Sequence, residues 1–376
     1  MSINKEILVK NDKGQHSYLD LSDLRMEKLN HFKGWNCYIG QENLSISYCG
    51  NIHGSVCGSG KKLGNIFEEN FKLNESPIKC PLKVCHCGSD IKIKKIKSLD
   101  SQQIISTYTN AILNDEIIEF DGNIDIRKSK TIFIDWVIAK RCNLDCEYCP
   151  SFVHDNYSPH ISVEDFNQVS KNFEKLVNNG YNLKLTITGG EPTINPNYLD
   201  HIKELNEKFG SKIRVITNTN GTRTADYYSQ LNKYSALFFS VHINYIDNER
   251  FIKKIKKITD LRLRKKLIDS ENFFILKIMA SPENISKCDQ FYKKVNEGRS
   301  WWNDVQVHVE PIVAKEEGYK MLNYSEDDKL KIKSLNQHDK YYTDYMKSVM
   351  YKHAEPITSE KLSKLKAISE KLSINI

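Results

Sequence analysis

From residue 131 the chain alternates short runs of β-branched and aromatic residues with longer stretches whose apolar positions recur at helical spacing. Six of the short runs read as strands: "TIFIDWVIAK" (131–140), "LKLTITGGEP" (183–192), "KIRVITNTNG" (212–221), "ALFFSVHIN" (236–244), "NFFILKIMAS" (272–281) and "DVQVHVEPIV" (304–313). Helical patterns separate them. The clearest is "ISVEDFNQVSKNFEKLVNNG" (161–180), which Ser162 can cap, with Asp165 three residues on and Gly180 placed to end it. Strands that alternate with helices predict a parallel sheet with crossover connections. Six units fall short of eight, so the expected α/β architecture is a partial (β/α)6 barrel over residues 125–315.

The first hundred residues read differently. "NLSIS" alternates like a strand, but glycine-rich turns in "CGNIHGSVCGSGKKLGN" leave small β-hairpins too polar to bury much core. A separate cysteine-rich domain over 1–100, stabilised by a metal, is the expectation. Residues 316–376 are charged, tyrosine-rich helix and turn, expected to form a C-terminal helical extension.

Composition narrows the class. With 39% hydrophobic residues among 376, the chain has an ordinary core content, and no run approaches the roughly 18 apolar residues of a membrane span. "MSINKEILVKNDKG" lacks the apolar centre of a signal peptide, so a cytoplasmic location without a membrane partner is expected. In that compartment the ten cysteines serve as metal ligands or buried thiols, not disulfides. The net charge of +7 is concentrated in "KIKKIK" (92–97) and "KKIKKITDLRLRKK" (253–266). The second stretch reads either as the solvated face of a helix or as a patch that faces an anion. Basic and aromatic residues are not interleaved, so no nucleic-acid partner is expected.

The unusual residues gather at the carboxyl ends of the predicted strands, where parallel α/β sheets bind ligands. They are Cys142–Cys149, Gly189–Pro192, Asn218, Ser240, His242, Met279 and Glu310. Cys142, Cys146 and Cys149 lie in "RCNLDCEYCP" at C-x3-C-x2-C spacing, compact enough to wrap one face of a cubane cluster. Four iron corners and three thiolates leave one iron open. The rival is zinc completed by His154 or His160.

"CNLDCEYC", with Tyr148 directly before the third cysteine, and "TGGEP" (188–192) one helix later resemble the radical S-adenosylmethionine (radical SAM) superfamily over about residues 130–315. The resemblance implies a [4Fe-4S] cluster on Cys142, Cys146 and Cys149, whose open iron chelates S-adenosylmethionine. It implies reductive cleavage to a 5′-deoxyadenosyl radical, hydrogen abstraction from a substrate, and an electron donor such as flavodoxin or ferredoxin. Gly189, Gly190, Glu191 and Pro192 would hold the methionine amino group, with Glu191 accepting from the ammonium. Thr217, Asn218 and Ser240 stand where related enzymes contact ribose or carboxylate, with Asn220 an equal alternative to Asn218. His242 and Met279, alternating inward with Ser240 and Lys277, complete the expected cofactor contacts.

The hairpin region resembles the auxiliary-cluster modules called SPASM or twitch domains, in an unusual place ahead of the radical domain. Cys37 and Cys57 match the hairpin cysteines, two of Cys80, Cys85 and Cys87 would supply the other ligands, and Cys49 is expected not to ligate. A second [4Fe-4S] cluster is the leading expectation there, with zinc the alternative. Enzymes of this kind commonly modify peptides, so a peptide or protein side chain is the expected substrate. A small carbohydrate or nucleotide metabolite is the alternative, and a non-catalytic metal-bearing scaffold the remaining reading.

Overall fold

The computed structural model describes residues 7–10, 16–19, 30–41, 43–85, 88–91, 93–97, 104–107, 130–149, 154–264, 274–297, 305–312 and 323–337. Its strands are β1 (Ile7–Lys10), β2 (His16–Leu19), β3 (Asn36–Cys37), β4 (Asn43–Ile46), β5 (Asn51–His53), β6 (Lys62–Asn65), β7 (Ile78–Lys79), β8 (Lys95–Ile96) and β9 (Ile104–Thr107), followed by six longer ones. These are β10 (Lys130–Ala139), β11 (Tyr181–Gly189), β12 (Ile213–Thr219), β13 (Ala236–Val241), β14 (Phe274–Ala280) and β15 (Val305–Pro311). The helices are α1 (Gly88–Ile91), α2 (Val163–Asn178), α3 (Tyr198–Phe209), α4 (Ala225–Leu231), α5 (Asn248–Arg264), α6 (Ile285–Asn296) and α7 (Glu326–Gln337).

Strands β10 to β15 are all parallel and lie side by side in chain order, as the alternation of patterns predicts. The local signals hold as well. Ser162 accepts a hydrogen bond from the Asp165 N–H at 3.0 Å, and Gly180, at φ +85°, follows the end of α2. Alternate strand residues such as Leu185, Ile187, Val215 and Leu237 bury against Phe166, Phe173, Ile202 and Leu205 of the helices. This apolar face is the main core, and burial at about 25 cal/mol per Å2 is what holds the crossover helices on it.

The first hundred residues do not pack as one separate unit. β4 pairs in parallel with β10, and β5 and β6 continue the same nine-stranded sheet in antiparallel fashion. Leu44, Ile46, Ile52 and Ile66 join the main core. The Asn172 side chain on α2 donates to the Ile66 and Glu68 carbonyls, both at 2.7 Å, which locks the hairpin to the helix layer. Sequence reading missed this because so short a hairpin shows no sign of which edge will receive it. A second, smaller core of Phe32, Cys37, Ile39, Cys80, Cys85, Ile91 and Ile93 lies beside the six-stranded sheet β2-β1-β9-β8-β3-β7. Cys87 and most of the C-terminal extension lie outside the described residues. Among the described residues no helix is long and apolar enough to cross a membrane.

Candidate functional site

The cysteine loop leaves β10 at its carboxyl end and is seated by the backbone of "TGGEP". Gly190 N–H donates to Ala139 O (2.9 Å) and Glu191 N–H to Arg141 O (2.8 Å). A Cβ on Gly189 would collide with Ala139 O, and one on Gly190 with both Lys140 O and Arg141 O. These glycines therefore admit the chain's own segment 139–141, where the sequence suggested close approach of a ligand.

Glu191 also departs from expectation. It is 1% exposed, and its carboxylate is taken up inside the protein. Oε1 accepts from Thr193 N (3.0 Å), Thr193 Oγ1 (2.5 Å) and Thr219 Oγ1 (2.7 Å), while Oε2 accepts from Asn220 N (2.5 Å). Burial raises its pKa and these donors oppose the rise. The carboxylate ties the end of β11 to the end of β12 and acts on the cysteine loop through Asn220. Pro192 opens the short 3-10 helix that Glu191 caps.

Asn218 and Asn220, the two amides that the spacing left open, differ in their contacts. Asn220 Nδ2 donates to Asn143 Oδ1 at 2.9 Å and lies 3.9 Å from Cys142 Sγ, so Asn220, not Asn218, reaches the loop. Thr217 is a second correction: fully buried, it bonds Tyr198 Oη on α3 and Ser235 Oγ, both at 2.8 Å, on the helix side of the sheet. The period-two alternation that buries Thr217 and Thr219 turns Asn218 to the opposite face, which is helix-free among the described residues.

Cys146 is buried and Cys142 and Cys149 are half-buried. The three thiols are near enough to interact electrostatically; burial pushes Cys146 up to about 12 and raises Cys142. Leu144 N–H points at Cys142 Sγ (3.5 Å). Thiols held protonated by burial, with amide donors aimed at sulfur, suit thiolates that form when an iron cluster binds and displaces the protons. The histidine rivals do not join them. His154 Nε2 faces Asp145 Oδ1 at 3.5 Å, and His160 is a half-buried ring whose pKa burial and then Arg141 lower.

Tyr148 Oη meets His242 Nδ1 at 2.7 Å, with the rings stacked at 5.9 Å. Burial lowers the His242 pKa to about 4, so the ring is neutral, and its tautomer sets which of the two groups donates. Tyr148 and His242, both expected at the cofactor, thus also touch each other and pin the loop to the end of β13. Ser240 and Met279 face away from the helices as expected, in register with Lys277 and Glu310 respectively.

That helix-free face carries charge that sequence reading overlooked. Lys184 and Arg214 stand side by side across β11 and β12, next to Phe133, whose ring lies 5.2 Å from Lys184 Nζ. Burial first, and Arg214 second, lower Lys184 to about 8. Among the described residues no carboxylate lies within ion-pair distance of Lys184. Lys277, over the Phe238 ring, pairs with Glu310 at 3.5 Å. The signal was present as Lys184, Thr186 and Thr188 at every second position of "LKLTIT" and as Arg214 and Asn218 in "IRVITN", on a face that a sheet buried on both sides would fill with apolar groups.

In the small core, Cys37, Cys57, Cys80 and Cys85 border one small cavity, together with Asp90 and Lys95. Asp90 accepts from Cys57 N (2.6 Å) and Val56 N (3.1 Å), drawing the hairpin cysteine in. Lys95, 1% exposed, donates to the carbonyls of Asp90, Ile91 and Ile93. Burial raises Cys37 to about 11 and also raises Cys80 and Cys85. Cys49 is exposed and bonds Ser47 and Asn51, and it is not among the residues that line the cavity. Among the described residues neither cysteine group is drawn up to grip a single ion.

The Radical SAM superfamily model matches residues 136–274. GTP 3′,8-cyclase 1 of Mycobacterium tuberculosis is 29% identical over 117 residues, 30% of this chain and 32% of its own. A probable GTP 3′,8-cyclase of Archaeoglobus fulgidus is 30% identical over 114 residues, covering 30% and 36%. Molybdenum cofactor biosynthesis protein 1 of Bos taurus is 31% identical over 96 residues, 26% and 15%. The matches thus span about a third or less of these relatives. Among solved structures, a histidine-tagged anSMEcpe with bound AdoMet aligns at 20% identity and TM-score 0.40 over 58% of this chain and 62% of its own. Streptococcus suis SuiB aligns at 17% and 0.36 over 57% and 46%. The stretch that matches the Radical SAM superfamily model is thus the one that holds the three thiols and the glycine pair at the head of the parallel sheet.

Proposed function

We propose that this protein cleaves S-adenosylmethionine and abstracts a hydrogen atom from a small anionic metabolite of nucleotide type. On this reading the parallel sheet curls into a partial (β/α)6 barrel whose interior is the helix-free face. A [4Fe-4S] cluster on Cys142, Cys146 and Cys149, one iron open, supplies the electron for cleavage. The protein holds the loop through Gly190, Glu191, Asn220 and Tyr148, and presents Asn218, Ser240 and Met279 on the face below it. Three buried thiols and the half-buried Cys57 around one cavity support an auxiliary cluster on Cys37, Cys57, Cys80 and Cys85, with zinc the alternative.

The observation that carries the substrate class is the adjacent Lys184 and Arg214. They lie five residues and about 16 Å, at roughly 3.3 Å per residue, from the strand end where the radical forms. Two cations at that depth suit the phosphates of an extended molecule whose other end meets the radical. This reading is preferred to the peptide expectation because two of the curated relatives named above are GTP 3′,8-cyclases.

The test is anaerobic reconstitution followed by chromatography of 5′-deoxyadenosine with nucleoside triphosphates, sugar phosphates and peptides offered in parallel. A nucleotide should be consumed and should stimulate cleavage. Stimulation by peptides alone would reinstate the peptide expectation, and a protein that never cleaves S-adenosylmethionine would remove the enzyme reading.

A further inference from the structure

On the outer side of the cysteine loop, a cleft of about 720 Å3, open to solvent, is lined by Thr222, Arg223, Tyr245, Arg250, Phe251 and Lys254 among others. Its wall is bonded directly to the loop. Asn143 Nδ2 donates to Thr222 Oγ1 at 2.9 Å, and Glu147 N–H donates to Tyr245 Oη at 2.9 Å. Asn143 adjoins Cys142 and Glu147 adjoins Cys146, so a body seated in the cleft lies against the metal-binding segment itself.

The cleft is strongly basic. Arg250 and Lys254 are one turn apart on α5, and Arg223 faces them with its guanidinium over the Tyr227 ring at 4.6 Å. Among the described residues no carboxylate lies within ion-pair distance of any of the three. The lining's one carboxylate, Asp247, accepts from the Arg250 backbone N–H at 3.0 Å and so caps the helix. Lys254 donates to the Gly221 carbonyl, while burial and then Arg250 lower its pKa to about 8. The same helix carries the basic stretch from residue 253 that the radical chemistry leaves unused.

We infer that this cleft docks an acidic, low-potential one-electron carrier protein that reduces the cluster site on Cys142, Cys146 and Cys149. The inference rests on the radical reading proposed above. In the step the carrier loses one electron and the cluster gains one, with no atom exchanged. Three cations without a carboxylate partner among the described residues steer an acidic face toward the loop, in the manner of small, transient redox interfaces. A nucleic acid fits less well, because the two aromatic rings of the lining are engaged elsewhere. Tyr245 packs edge-on against Tyr148, and Phe251 packs against Phe239 and Phe291, which leaves no platform for a stacked base.

The experiment compares reduction of the reconstituted full chain by reduced flavodoxin and by dithionite with methyl viologen, followed by bleaching of the cluster absorbance in anaerobic stopped flow. Arg223→Glu with Arg250→Glu should slow the flavodoxin reaction at least tenfold at low salt and leave the small-reductant reaction unchanged. The wild-type flavodoxin rate should fall steeply as salt shortens the screening length from about 30 Å to about 8 Å. An unchanged flavodoxin rate in the double variant overturns the inference, and so does equal slowing by both reductants. Calorimetric binding of flavodoxin to the metal-free chain tests the surface even if S-adenosylmethionine is never cleaved. Binding of a single-stranded oligonucleotide in place of flavodoxin, lost in the double variant, assigns the cleft to nucleic acid and overturns it as well.

Discussion

Lys184 should weaken the fold that it serves, and Lys184→Met should expose this. Burial and the neighbouring Arg214 bring its ammonium from 10.5 to about 8. With each tenfold change in proton affinity worth about 1.4 kcal/mol, keeping the charge at pH 7 costs on the order of 3 kcal/mol. Methionine fills similar space without charge but gives up the contact with the Phe133 ring, worth about 0.5–1 kcal/mol. The net expectation is a gain of about 2 kcal/mol at pH 7. The sign with pH follows from a folded-state value below the unfolded one: between about 8 and 10.5 the unfolded chain binds more protons, so wild-type stability rises across that window. The variant's advantage should therefore be full below pH 8 and vanish by about pH 10.5. Urea unfolding of the metal-free chain, followed by circular dichroism at several pH values, measures it; nucleotide-stimulated cleavage by the loaded enzyme should fall at the same time. A variant no more stable than wild type at pH 7, or an advantage independent of pH, would refute the reasoning.

The other expectations concern the loop and the small core. Gly190→Ala pushes a methyl against Lys140 O and Arg141 O, so it should cost about 1–3 kcal/mol in thermal unfolding and lower the iron held by the loop; full iron and unchanged stability would show that the loop is not seated on this glycine. Glu191→Gln leaves buried donors on Thr193, Thr219 and Asn220 poorly matched, at about 1–3 kcal/mol, so stability and S-adenosylmethionine affinity should fall together. Lost affinity with unchanged stability, read by calorimetry, would return the carboxylate to the cofactor. With two clusters, wild type should carry about eight irons; Cys85→Ala should reduce this to about four, while Cys49→Ala should not change it. Equal iron in the two variants would break the four-thiol assignment.

The order of elements β10 to β15, the caps of α2 and the identity of the cysteine loop were legible because each depends on residues close in sequence: alternation, a serine before a helix, thiols within one loop. The same locality carried the resemblance to the radical SAM superfamily. Which of Asn218 and Asn220 reaches the cysteine loop was not legible, since "TNTN" offers two identical amides and only the distance across to Asn143 separates them. Glu191 and Thr217 were assigned to the cofactor because their types suit it, yet their partners, Thr219, Asn220, Tyr198 and Ser235, come from other strands and helices.

The sequence by itself determined the order of the parallel strands and brought three thiols together in one loop, since both depend on residues close along the chain. Only the tertiary structure decided what surrounds that loop. Cys80 and Cys85 join Cys37 and Cys57 across a long intervening stretch of chain, β4 enters the main sheet beside β10, and Lys184 meets Arg214 because parallel pairing sets the register. Contacts between distant segments are selected by packing and by the satisfaction of buried polar groups, and neither leaves a mark within a short window of sequence.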